Sequence, residues 1–142
     1  MLASSNSLKR ALASCTGHVL DSFLRATSPT LSPSHRTRQM HDTASIERLQ
    51  ISAVAWYEFC RGPRLPEQIA VARSLFAVDG VVPFDETLAA HAAEVFRRLG
   101  SPRRRAADIA TGVTAAATAA VLLTRNARDF AGIPDLELDA VS

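Results

Sequence analysis

Residues 105–130 read RAADIATGVTAAATAAVLLTRNARDF, and this stretch limits the possible folds more than any other. Asp108 stands in the first turn of an expected helix. That helix runs on through small residues: Ala110, Gly112, Ala115 to Ala117, Ala119 and Ala120. A helix with so small a surface can approach a sheet closely. Val121, Leu122 and Leu123 then form a short unbroken apolar run, as a parallel strand covered on both faces does. Thr124, Arg125, Asn126 and Asp129 follow at once. In open α/β sheets, sites form outside the carboxyl ends of the strands. Asp108 at a helix start and Asn126 and Asp129 at a strand end are therefore expected on one edge. Asp21 and Glu58 fall in the same kind of place, and the four acids together make the case for a metal site.

The remaining chain alternates between the two periodicities. His18-Val19-Leu20 is expected as a short strand ending in Asp21. Residues 27–42, TSPTLSPSHRTRQMHD, carry turn signals and suggest a loop into a short helix over 34–44. Leu49-Gln50-Ile51 reads as a strand. Ser52 is an N-cap for a helix from Ala53 to Arg61, closed by Gly62-Pro63. Pro66 opens a helix over Glu67 to Ala77, with Ile69, Ala72, Arg73 and Phe76 on one face. Asp79-Gly80 is a turn, and Val81 to Phe84 a short strand whose Pro83 points to a sheet edge. Asp85 caps an amphipathic helix marked by Leu88, Ala92, Val95, Phe96 and Leu99 and ended by Gly100. After Ser101-Pro102-Arg103-Arg104-Arg105 and the stretch already described, Gly132-Ile133-Pro134 turns into a last strand, Leu136 to Leu138. The alternation predicts an α/β fold with a mainly parallel sheet and helices on both faces. A length of 142 residues suits one domain. Residues 18–142 supply it, behind a Ser/Ala-rich extension over 1–17 that carries no acid. No apolar run approaches the roughly 18 residues of a membrane span, and the expected location is the cytoplasm.

The formal charge is only +2, yet the basic residues are fifteen Arg and one Lys. Arg suits bidentate contact with phosphate; a GC-rich coding bias produces the same composition. Cys15 and Cys60 are too few and too scattered for a disulfide framework. His18, His35, His41 and His91 show no zinc spacing, and no Gly-rich phosphate loop is present. A receiver domain would need a Lys beside its acids, and Lys9 stands alone at the start of the chain. Oxygen donors are what a hard cation such as Mg²⁺ takes, through a few carboxylates together with waters and substrate phosphates. Each acid also has a plainer reading. Asp108 can serve the helix dipole, and Asp129 can cap a turn. Glu58 is expected to be buried beside Ala55, Trp56, Phe59 and Cys60, and so to need a partner: Arg48 or Arg125 structurally, a cation functionally. Arg103 to Arg105 read either as a solvated turn or as a grip on a phosphate backbone.

Leu20-Asp21-Ser22, ISAVAWYEF (Ile51 to Phe59), PFDE (Pro83 to Glu86), RRRAADIA (Arg103 to Ala110) and LLTRNARDF (Leu122 to Phe130) occur in this order. In that pattern the chain, from about Val19 to Leu138, resembles PIN-domain ribonucleases, in particular the toxins of VapBC-type toxin–antitoxin pairs. The resemblance implies a three-layer α/β/α sandwich and Mg²⁺- or Mn²⁺-dependent cleavage of RNA phosphodiester bonds. It also implies homodimers and neutralisation by a cognate antitoxin. The metal ligands and catalytic acids would be Asp21, Glu58, Asp108 and Asp129. Ser22, Thr124 and Asn126 would position water or phosphate, and Arg104 and Arg105 would track the RNA. The first motif departs from the family pattern, for Leu20-Asp21-Ser22-Phe23-Leu24-Arg25 is one or two residues short. An inactive PIN-like module that binds RNA or an antitoxin is the alternative this departure implies.

Overall fold

The computed structural model describes residues 22–27 and 47–140. The expected strand over 18–20, Asp21, the helix over 34–44 and the extension over 1–17 lie outside the described residues. The elements in order are β1 (Ser22–Thr27), β2 (Glu47–Ser52), α1 (Ala53–Cys60), α2 (Pro66–Ser74), β3 (Val81–Val82), α3 (Glu86–Arg98), a 3₁₀ turn (Arg103–Arg105), α4 (Ala106–Ala117), β4 (Val121–Thr124), a second 3₁₀ turn (Ala127–Phe130) and β5 (Leu138–Ala140).

The five strands form one sheet in the order β3-β2-β1-β4-β5. β2 and β3 pair in parallel, as do β4 and β5, whereas β1 runs antiparallel to both β2 and β4. Four strands thus share one direction, and the central strand opposes them. The carboxyl ends of β2 to β5 and the amino end of β1 consequently line the same edge. Ser22 pairs with Thr124 there, Thr124 with Ala140, and Ser52 with Val82. β3 lies at the side of the sheet, where the missing N–H of Pro83 costs no ladder bond.

Alternation along the strands splits the core in two. Leu24 and Leu122 face one way and pack with Ala92 and Val95 of α3 and Ile109 and Val113 of α4. Phe23, Ile51, Leu49 and Leu123 face the other way, against Phe59 and Trp56 of α1 and Ala72 of α2. The result is the expected three-layer α/β/α sandwich. α4 is buried almost continuously from Ile109 to Ala115, as its small residues predict. A Cβ added at Gly112 would lie 2.5 Å from Ile133 Cδ1, so the segment after β4 sits tight against the helix.

Local chemistry sets the element ends. Ser52 Oγ accepts from Ala55 N–H at 3.0 Å, and Asp85 Oδ1 accepts from Leu88 N–H at 2.9 Å. Both N-caps fall where the sequence places them. α2 stops at Ser74 rather than running to Ala77. Its last turn tightens into i→i+3 bonds, Leu75 to Ala72 and Phe76 to Arg73. The Arg73 guanidinium donates to the carbonyls of Phe76, Ala77 and Val78, which takes them away from a helical ladder. Gly80 then packs where a Cβ would lie 2.6 Å from Phe76 Cβ and 2.9 Å from the Ala77 main chain. β5 begins two residues later than expected, because Asp135 adopts a left-handed turn (φ 56°) just before it. Among the described residues no helix is long and apolar enough to cross a membrane.

Candidate active site at the carboxyl edge of the sheet

Asp108 is the third residue of α4 and partly buried. One turn later, Thr111 Oγ1 shares a buried 3.0 Å hydrogen bond with Ser52 Oγ. Ser52 is at once the last residue of β2 and the cap of α1. Residues three apart lie on one helix face, so Asp108 stands a turn beyond the point where α4 meets the end of β2. This is the edge the sequence predicts for it.

Asp129 reaches the same edge by a chain of polar contacts. Thr124 ends β4 fully buried, and its Oγ1 accepts from Asn126 N–H at 3.1 Å. Asn126 Nδ2 donates to the Asp129 carboxylate. Arg105, the residue before α4, sends its side chain across to this loop. Its Nε donates to the Asp129 carbonyl at 2.9 Å and its Nη2 to the Ala131 carbonyl at 2.5 Å. The loop bearing Asp129 is therefore fastened to the start of the helix bearing Asp108.

Glu58 differs from expectation. It lies on the exposed side of α1, with 42% of its side chain accessible, and pairs with Arg61 Nη2 at 3.0 Å on its own helix. The inward side of α1 is taken by Phe59, which stacks on Trp56. Neither Arg named from the sequence is its partner: Arg48 Nη2 donates to both carboxylate oxygens of Asp79, at 2.7 and 2.9 Å. Glu58 still lies one turn beyond Val54, which packs against the core shared with α4. Cys60 packs beside the second core as expected. Burial pushes its thiol up, the nearby Arg64 opposing, so it stays a neutral packing residue.

Among the described residues no three acids, histidines or cysteines gather as a metal-binding cluster. Asp108 and Asp129 are joined through Arg105, Glu58 stands on the neighbouring helix, and Asp21 lies outside the described residues. Ser22, the next residue, opens β1 opposite Thr124 at the same edge. These acids offer hard oxygens, which would suit a hard divalent cation rather than a softer ion. Arg103, Arg104, Arg125 and Arg128 are all exposed on the two segments that meet here.

Sequence reasoning missed two features of this edge. The Ser52–Thr111 contact joins residues 59 apart, and the Arg105 contacts span 24 and 26 residues. Neither leaves a periodic trace. The one available signal was an Arg directly before a helix that already had an acid in its first turn.

No curated protein matches the chain. Residues 31–136 match the family model described as the PIN domain. That span includes Glu58, Asp108, Asn126 and Asp129 and begins after Asp21. With a mixed five-stranded sheet between two helical layers, and with well over half of its length matched, the chain belongs to the PIN domain family.

Proposed function

We propose that this protein is a metal-dependent endoribonuclease of the toxin type, restrained by a cognate antitoxin, with its centre at the edge where α4 begins and β4 ends. PIN domains are generally nucleases and usually use divalent metals. The observation that carries the reading is the juxtaposition of the Asp108 helix start and the Asp129 loop through Arg105. Asp108, Asp129 and Glu58, with Asp21, would hold Mg²⁺ or Mn²⁺. The ion would supply charge neutralisation and a more acidic bound water. For Glu58 to take part it must leave Arg61, and an exposed pair of this kind is worth only about 0–1 kcal/mol.

The remaining work falls to the protein's own groups. One carboxylate accepts the proton of the attacking water. The water oxygen bonds to the phosphorus, and the bond to the 3′-oxygen breaks; that oxygen takes a proton from solvent, leaving a 5′-phosphate and a 3′-hydroxyl. Asn126 and Ser22 would orient water or phosphate. Thr124 is buried and holds the turn instead. Arg104 is exposed and free to follow the RNA backbone, with Arg103, Arg125 and Arg128 beside it. Arg105 directs two of its donors at main-chain carbonyls, which makes it part of the scaffold.

Asp108→Asn should cut RNA cleavage by about 10²- to 10³-fold if it removes a group acting on the transition state, and move the melting temperature little. Normal cleavage by this variant would sink the assignment. Homodimerisation belongs to the same proposal. Support comes from three apolar side chains exposed on α1 and the segment through α2: Tyr57, Leu65 and Val71. Sedimentation of the wild type should give a dimer mass.

A second reading, the inactive module that binds RNA or an antitoxin, is favoured by β1. The strand runs against both of its neighbours, whereas the resemblance implies a mainly parallel sheet. Calorimetry with Mn²⁺ separates the two: the nuclease binds the ion, and the inactive module does not.

A further inference from the structure

We infer that Arg105 is a positioning residue of the proposed nuclease site, holding Asp129 at a fixed place relative to Asp108 and contributing no contact to RNA. The inference rests on the nuclease reading for its functional half. Its structural half stands on the geometry alone.

Arg105 closes the 3₁₀ turn ahead of α4, its N–H donating to the Pro102 carbonyl at 2.8 Å. Its backbone is therefore fixed to the helix whose third residue is Asp108. Its partly buried side chain leaves the helix start and meets the end of the other 3₁₀ turn. Two nitrogens of one planar guanidinium reach two carbonyls, those of Asp129 and Ala131. Carbonyls at the end of a helical turn lack intrahelical partners and attract a cation. Because the bonds go to the main chain of Asp129, its carboxylate is left to Asn126. Asn126 is in turn anchored to the end of β4 through Thr124 Oγ1. The position of the Asp129 carboxylate is thus set from both sides, by the strand end through Asn126 and by the helix start through Arg105.

A Lys at this position would keep the charge and lose the fork, since an ammonium cannot present two parallel donors in one plane. A phosphate-binding Arg, by contrast, is partly replaced by Lys acting as a point charge. Arg105→Lys therefore distinguishes positioning from RNA contact.

The test compares the wild type, Arg105→Lys and Arg104→Gln by amide hydrogen exchange without metal, by Mn²⁺ calorimetry and by cleavage kinetics. In Arg105→Lys, exchange at residues 127–131 should rise by about tenfold or more, as expected for the loss of charge-assisted bonds, while exchange in β4 stays the same. Mn²⁺ affinity and kcat should fall with KM unchanged. Arg104→Gln should raise KM and leave loop exchange and Mn²⁺ affinity alone. Unchanged exchange at 127–131 in Arg105→Lys overturns the inference. So does a variant that keeps kcat and loses only KM, for that is the behaviour of an RNA contact. A wild type that binds no Mn²⁺ brings down the nuclease reading, and with it the functional half. Exchange then decides the clamp on its own.

Discussion

Ser52 shows how much one side chain can determine here. Its hydroxyl caps α1, meets Thr111 of α4 and ends β2, with only 1% of the residue exposed. Replacing it with Ala removes the cap and leaves the Thr111 hydroxyl short of a buried partner. The two losses together should cost about 1–3 kcal/mol, read as a lowered midpoint in urea. A cost near zero would mean that α4 shifts to satisfy Thr111 elsewhere. The capping role was legible, since Ser ahead of an apolar run is a local signal. The bond to α4 was not, because no local rule selects one hydroxyl partner from the many in the chain. Glu58 carries the opposite lesson. Its aromatic neighbours in sequence suggested burial, but helical geometry turns it away from Phe59, toward solvent and Arg61.

Among the elements, the end of α4 carries a strain that the sequence could relieve. Ala119 adopts φ 52° just past the helix, and Ala120 N–H closes back on the Ala115 carbonyl at 3.0 Å. A left-handed residue at this place is ordinarily Gly. Ala119→Gly should therefore stabilise the protein by about 0.5–1 kcal/mol, seen as a rise of a few degrees in Tm. A fall would mean that the Ala methyl contributes packing that outweighs the strain. α1, α3, α4, β2 and β4 were readable because periodicity and caps are local. The end of α2 was not, since Arg73 gathers carbonyls that lie beyond the helix. β1 was not readable either: the sequence predicts no strand over 22–27, and its antiparallel course comes from pairing with β2 and β4, which lie far along the chain.

At the scale of the whole molecule, the small net charge conceals an uneven distribution. Arg103, Arg104, Arg125 and Arg128 are exposed on the two segments flanking the candidate site. If single-stranded RNA runs over them, its affinity should fall with salt at a log–log slope of about −3, and each Arg→Gln change there should reduce the slope by about 0.7. Filter binding across a salt series measures it. A slope unaffected by all four changes would place the RNA on another face. The direction of the strands gives this surface its location, because four carboxyl ends and the amino end of β1 share one edge.

The sequence by itself determined the α/β class, most element positions, the two N-caps and the assignment of Asp108 and Asp129 to the same edge. Each of these follows from short-range periodicity, capping chemistry or the general placement of sites in open sheets. Tertiary structure alone decided the antiparallel course of β1, the Ser52–Thr111 contact and the Arg105 bridge. All three join segments far apart in the sequence and depend on which distant surfaces meet. A hydrogen bond across 24 or 59 residues exists only after that packing has brought its ends together.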